Sequence, residues 1–298
     1  MKKLISILII CMLLLGVTAC QSQDRQPEPT AASTAASIKT VSVDGTEMDY
    51  AVFGSGEKAF VILPGLSVHS VMGSAEAIAT AYADYTDDYT VYVFDRAKTL
   101  KDGCTIRDIA DDTVAAMTAL GIKNADIFGA SQGGMIALCL AIDHPELVHK
   151  MILGSTLAKT NDTFKKVAGE WIELAESRNE TALLESFADT IYSAATLEAY
   201  RDSIISSNSG ITEEEYERFI IQAKACENFD CYIELADIKC SVLVLGSEGD
   251  KVVTAEASEQ IAEALGCDIY LYDDSYGHAV YDEAADYKQR CLNFLTEA

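Results

Sequence analysis

Basic side chains are scarce in this chain: 22 Lys and Arg stand against 47 Asp and Glu, a formal charge of −25 at pH 7. So acidic a surface repels nucleic acid and anionic lipid headgroups, and neither is expected as a partner. Membrane attachment cannot come from a basic patch, and polyanionic substrates are disfavoured unless a pocket locally reverses the field. Proline is scarce too, at four residues, and the chain is 49% hydrophobic. Together these argue against wide disorder. There is no internal repeat. No C-x-x-C is joined to paired histidines, so a zinc signal is missing, and nothing in the chain implies a metal or an organic cofactor.

The N-terminal apolar run is short. Leu4 to Val17 is apolar apart from Ser6, too short for a comfortable membrane span. The basic Met1-Lys2-Lys3 precedes it and Val17-Thr18-Ala19-Cys20 follows, so residues 1–19 read as a signal peptide. Val17-Thr18-Ala19-Cys20 resembles the lipobox of bacterial lipoproteins. The resemblance implies that Cys20 becomes the first mature residue and carries lipid; the alternatives are plain secretion with an incidental cysteine, or an uncleaved anchor. Residues 20–37, rich in Gln, Ser, Thr, Ala and Pro, read as a flexible tether. The protein is then expected outside the cytoplasm, held to the bacterial cell membrane by its lipid. With Cys11 lost and Cys20 acylated, Cys104, Cys139, Cys226, Cys231, Cys240, Cys267 and Cys291 remain. An odd number cannot all pair within one chain. Cys226 with Cys231 and Cys240 with Cys267 are candidate pairs, and buried free thiols are the alternative; spacing alone does not decide.

Residues 38–298 suffice for one large domain with a substantial core. Its organising stretch is Gly129-Ala130-Ser131-Gln132-Gly133, a G-x-S-x-G sequence with the apolar Ala125 to Phe128 before it and the apolar Met135 to Ile142 after it. A strand feeding a helix through so tight a turn strains the serine backbone and needs small neighbours, here Gly129, Ala130, Gly133 and Gly134. The Ser131 hydroxyl would stand clear of the sheet, and the Gln132 amide, at a helix start, would hold a developing oxyanion. Around this stretch, Lys39 to Gly54 reads as a hairpin turning at Asp44-Gly45. Strands are expected at Ala59 to Leu63, Thr90 to Phe94 and Lys150 to Leu153, and helices at Ser70 to Tyr82 and Ile106 to Leu120. Alternating strands and helices make a parallel sheet covered on both faces. From Thr156 to about Ile238 the alternation stops and four helices are expected, at Phe164 to Ser177, Thr181 to Ser193, Leu197 to Ser206 and Thr212 to Asn228. It resumes with a strand at Ser241 to Leu245, a helix at Ala255 to Leu265, a strand at Asp268 to Tyr272 and a last helix at Tyr281 to Leu295.

With these motifs in this order, the chain from about Lys39 onward resembles the α/β-hydrolase superfamily. The likeness is strongest to the functionally mixed group built around an "α/β-hydrolase 1" core, which includes esterases, lipases, aminopeptidases and haloperoxidase-like enzymes. The resemblance implies an α/β fold with a mostly parallel sheet, and makes residues 156–238 an inserted helical cap. It places the catalytic base at His278, in the loop after the last strand, rather than at His69, His144 or His149. Asp250 matches the family's acid position, with Glu248 as competitor; Asp95-Arg96 resembles the family's structural turn and is expected to brace a loop. Ser131, Asp250 and His278 then follow the family's chain order. The second oxyanion donor is expected in the loop after Leu63, at Leu66 or Ser67, where Pro64-Gly65 replaces the more usual His-Gly. The implied activity is hydrolysis of a small ester or amide through an acyl-enzyme. C–C bond hydrolysis or perhydrolase chemistry on the same triad, and a non-catalytic binding protein derived from a hydrolase, are the rivals. Glu170, Trp171 and Glu173 could meet an amine, as cap acids do in related aminopeptidases; alternatively they are solvated carboxylates and a packed indole.

Overall fold

The computed structural model describes residues 35–43 and 45–297. The expected signal peptide, Cys20, most of the tether, and Asp44 of the first turn lie outside the described residues. The fold opens with β1 (Ser37–Val43) and β2 (Thr46–Gly54), an antiparallel hairpin with Val43 opposite Thr46. Its turn includes Gly45 at φ +90°, a conformation glycine adopts without steric cost.

The parallel core follows as β3 (Lys58–Leu63), α1 (Ala75–Ala81), β4 (Tyr89–Ala97), α2 (Ile106–Ala119), β5 (Ala125–Ala130), α3 (Gln132–Asp143) and β6 (Val148–Gly154). Between β6 and the next strand stand four helices: α4 (Asp162–Glu176), α5 (Glu180–Ile191), α6 (Ala194–Ser207) and α7 (Glu213–Cys226). The sheet then resumes with β7 (Ser241–Ser247), α8 (Ala255–Leu265) and β8 (Asp268–Tyr272), and the chain ends in α9 (Val280–Glu283) and α10 (Tyr287–Thr296). Strand order is β1-β2-β4-β3-β5-β6-β7-β8. Neighbours from β4 to β8 run parallel, and the hairpin adds an antiparallel edge.

This arrangement explains the composition of the strands. Every residue of β5 is buried, because helices cover both faces of the sheet and neither face can carry polar residues cheaply. On one face Val61, Leu63 and Ile127 pack with Ile109, Met117 and Ile136. On the other, Phe60, Ile62 and Phe128 pack with Tyr82, Tyr85 and Tyr287. Helix α2 starts in a capping box, with Thr105 and Asp108 exchanging bonds with each other's backbone N–H. Helix α7 starts the same way on Thr212 and Glu215. The inserted helices share an aromatic seam: Trp171 lies 4.1 Å from Phe187, which meets Phe219 edge-on at 5.5 Å.

Three elements differ from expectation. The helix expected from Ser70 to Tyr82 opens as a 3-10 turn over Val71–Ser74, and α1 proper starts at Ala75. Strand β4 runs on through Asp95 and Arg96 to Ala97, which pairs with Met48; both polar residues are buried and find partners within the sheet's rim. The last helix breaks at residues 284–286. Glu283 accepts the backbone N–H groups of Ser193 and Gly277 at 2.8 and 2.7 Å, whereas Asp286 accepts from the Tyr272 hydroxyl at 3.0 Å.

Candidate active site

Strand β5 ends at Ala130 and α3 begins at Gln132, so Ser131 alone makes the turn, at φ 51° and ψ −119°. A non-glycine residue at positive φ is strained and must be held by its surroundings. The Ser131 N–H donates to the Gly154 carbonyl at 2.9 Å. Its carbonyl accepts from Thr156 Oγ1 at 2.7 Å and from the Gly134 N–H at 2.9 Å. The need for small neighbours is literal. A Cβ on Gly133 would fall 1.9 Å from the Leu63 carbonyl oxygen, and one on Gly129 would fall 2.5 Å from that of Gly133. The helix start at Gln132 leaves its N–H with no carbonyl to bond within α3.

The loop after β3 comes to the serine. A Cβ on Gly65 would lie 3.2 Å from Ser131 Cβ, so Pro64-Gly65-Leu66 runs directly beside the elbow. Leu66 is half-buried and Ser67 exposed.

His278 and Asp250 meet. Their side chains are 4% and 1% exposed, and Nδ1 lies 2.8 Å from Oδ2. The other carboxylate oxygen accepts the backbone N–H groups of Val252 and Val253 at 2.8 and 3.0 Å. Burial alone would raise the Asp250 pKa. The His278 partner and the two amides outweigh it and hold the carboxyl below its ordinary range. Glu248, the competitor, is exposed and contributes a backbone N–H to Tyr272 O at 2.9 Å. The His278 loop rests on the insertion, since Ala279 N–H donates to Ile191 O at 3.0 Å and a Cβ on Gly277 would fall 2.5 Å from the same oxygen.

The other histidines are engaged elsewhere. His69 Nδ1 and Nε2 lie 2.7 Å from Glu215 Oε1 and 2.9 Å from the Asn208 carbonyl. His149 pairs with Asp126 at 2.7 Å, at the opposite end of the strands, and His144 lies 3.7 Å from Glu146. Glu170 and Glu173 are exposed, and Trp171 is buried against Phe187, the arrangement of solvated carboxylates beside a packed indole.

A polar scaffold behind the elbow was not readable from sequence. Arg96, 3% exposed, donates from Nη2 to Pro64 O at 2.6 Å and from Nε to Gln132 Oε1 at 3.1 Å. Gln132 Nε2 in turn donates to Gln222 O at 3.0 Å and to Cys226 Sγ at 3.2 Å on α7. Asp95 accepts from Ser70 Oγ at 2.6 Å and from Arg218 Nη2 at 2.7 Å. The Asp95-Arg96 pair at a strand end was the available signal, but its partners are too distant in sequence to identify.

A family model described as alpha/beta hydrolase fold matches residues 58–285. The chain belongs to the α/β-hydrolase fold family. Among solved members, MGS-M2, an alpha/beta hydrolase enzyme from a Medee basin deep-sea metagenome library, superposes with a TM-score of 0.78 at 21% identity, covering 87% of this chain and 98% of its own. The enol-lactonase from Burkholderia xenovorans LB400 gives 0.76 at 21% identity, covering 87% and 100%. These likenesses bear on the fold. In sequence, this α/β hydrolase is 28% identical over 173 residues to a protein of Caulobacter sp. (strain K31) provisionally named carbamate hydrolase RutD. That alignment covers 57% of this chain and 64% of the relative, less than two thirds of its length. A Rhizobium rhizogenes protein of the same name is 25% identical over 229 residues, 74% of this chain and 85% of its own.

Proposed function

We propose that this α/β hydrolase is a serine hydrolase that cleaves a small ester or amide. Ser131 is the nucleophile, His278 the base and Asp250 the acid. The observation that carries the reading is the Asp250–His278 pair, buried on both sides, in a fold that also holds a strained serine elbow with an open helix N-terminus. A serine hydroxyl is inert until a base takes its proton. Asp250, held ionised, accepts the Nδ1–H of His278, fixes that tautomer and leaves Nε2 as the base. As Ser131 attacks the acyl carbonyl, the amide of Gln132 and one from the Leu66–Ser67 stretch hold the tetrahedral oxyanion. His278 then returns its proton to the leaving group, and water releases the acyl-enzyme by the same route. The names of the relatives widen the substrate class to include lactones and carbamates.

The test is steady-state hydrolysis of p-nitrophenyl esters of graded length, an anilide, a lactone and an N-alkyl carbamate. At least one should turn over, and Ser131→Ala should lower its kcat by about 10⁴-fold or more. Equal turnover by the variant would sink the nucleophile assignment. From the likeness of Val17-Thr18-Ala19-Cys20 to a lipobox we separately propose that Cys20 bears lipid and holds the protein outside the cytoplasm at the cell membrane. Palmitate incorporation in cells should be lost in Cys20→Ser, and labelling that persists would place the anchor elsewhere.

A further inference from the structure

Arg96 carries a buried positive charge whose side-chain hydrogen-bond partners are neutral. Among the described residues its guanidinium forms no ion pair: the adjacent Asp95 carboxylate is taken by Arg218, by the Ser70 hydroxyl and by the backbone N–H of Arg96 itself. Burial pulls the guanidinium down to about 10, which leaves it charged at neutral pH. The nearby Asp95 carboxylate offsets burial only in part and Arg218 works against that offset, and a buried charge with no hydrogen-bonded counter-ion is costly. It is also effective at stabilising negative charge that develops nearby, because the enclosed surroundings screen it little.

Its two acceptors lie on the two segments that matter for an oxyanion. The Pro64 carbonyl opens the loop of Gly65 and Leu66 beside Ser131, and the Gln132 amide oxygen belongs to the residue whose N–H begins α3. One planar fork therefore sets the spacing between the loop and the elbow. Through Gln132 it also reaches Gln222 and Cys226 on α7, so the insertion is tied to the same point. A lysine at this position could satisfy one acceptor but not both.

We propose that Arg96 is a positioning residue for the oxyanion: it fixes the separation of the two donor segments and places a positive charge behind them. The inference rests on the reading of Ser131 as an acyl-transfer nucleophile. A plain structural brace would affect folding and leave transition-state binding alone. Positioning predicts a loss in kcat with little change in KM, matched by a loss of affinity for a mimic of the intermediate.

The experiment compares the full-length wild type, Arg96→Met and Arg96→Lys on an ester substrate, alongside inhibition by a trifluoromethyl ketone that forms a hemiketal oxyanion on Ser131. Arg96→Met should lose about 100-fold in kcat and a similar factor in ketone affinity, the scale of one oxyanion-hole donor. Arg96→Lys should lie between it and wild type. A folded Arg96→Met with unchanged kcat, or with its loss entirely in KM, overturns the proposal. Should Arg96→Met fail to fold, Arg96→Lys and Gln132→Met decide. Each should lower kcat about tenfold, and the double variant should fall short of the product because both break one bridge; unchanged kcat in both singles overturns it. A wild type that does not react with a fluorophosphonate overturns the nucleophile reading and this inference with it. A reactive wild type with an unaffected Arg96→Met overturns this inference alone.

Discussion

Asp250 and Glu248 stand two residues apart at the end of one strand, and both carry the carboxylate that a histidine base needs. Their surroundings separate them. Asp250 is enclosed, and its two oxygens meet His278 and two backbone amides, while Glu248 faces solvent. Asp250→Asn keeps the shape but offers an amide where Nδ1–H needs a carboxylate, and should lower kcat about 10⁴-fold by favouring the wrong tautomer. Glu248→Gln should leave kcat unchanged, and equal losses in both variants would contradict the assignment. The carboxyl of Asp250 is depressed in the folded state. Its contribution to stability is therefore present above its unfolded pKa of about 3.9 and is lost as pH falls through the lower folded value. Ser131 was singled out by the G-x-S-x-G sequence between two apolar runs, and Asp250 and His278 by resemblance to the family's acid and base positions in loops after strands. The choice between Asp250 and Glu248 was not legible, since it depends on how the loop folds back to present Val252 and Val253. Nor was the Arg96–Gln132 bridge, whose partners lie 36 residues apart.

The elements themselves were mostly readable. Unbroken apolar runs marked the buried parallel strands, and threefold and fourfold apolar spacing marked α2. Acidic residues after Thr212 marked the start of α7. What could not be read was where elements yield to tertiary contacts, as at the split between α9 and α10. The docking of α7 is another such contact, and it rests partly on His69. Both ring nitrogens of His69 face acceptors, Glu215 and the Asn208 carbonyl, so both must donate and the ring is an imidazolium when both bonds are made. Burial lowers its pKa, but the bonds to Glu215 and Asn208, with the charges of Glu215 and Glu180, outweigh this and raise it above 6.5. A raised folded pKa contributes stability that is fully present below the unfolded value and lost as pH rises through the folded one. Wild type should therefore melt above His69→Gln at pH 6, and the gap should close under mildly alkaline conditions. Slowed amide exchange in α7 should follow the same profile. A gap independent of pH would contradict the charged pairing.

On the scale of the whole molecule, the seven cysteines among the described residues are all free, with Cys139, Cys226, Cys231 and Cys291 buried. Neither candidate pair, Cys226 with Cys231 or Cys240 with Cys267, forms a disulfide; sequence spacing carries no information on the Cβ separation that one requires. Burial raises their thiols, Cys139 and Cys226 to about 12, so they resist reaction while the fold is intact. Melting should be insensitive to reductant, and thiol reagent should reach Cys139, Cys226, Cys231 and Cys291 only after denaturation, while the part-exposed Cys104, Cys240 and Cys267 are open to it in the folded state; a reductant-dependent melting temperature would contradict this. The molecule so assembled brings a strained serine, a buried Asp–His pair and a braced loop to one end of a parallel sheet. The proposed chemistry requires Ser131 to be an activated nucleophile. The direct measurement is fluorophosphonate labelling of wild type and Ser131→Ala, with the modified peptide read by mass spectrometry. A single adduct on Ser131 is expected in wild type and none in the variant. A folded wild type that stays unlabelled, or an adduct that survives in Ser131→Ala, would contradict it.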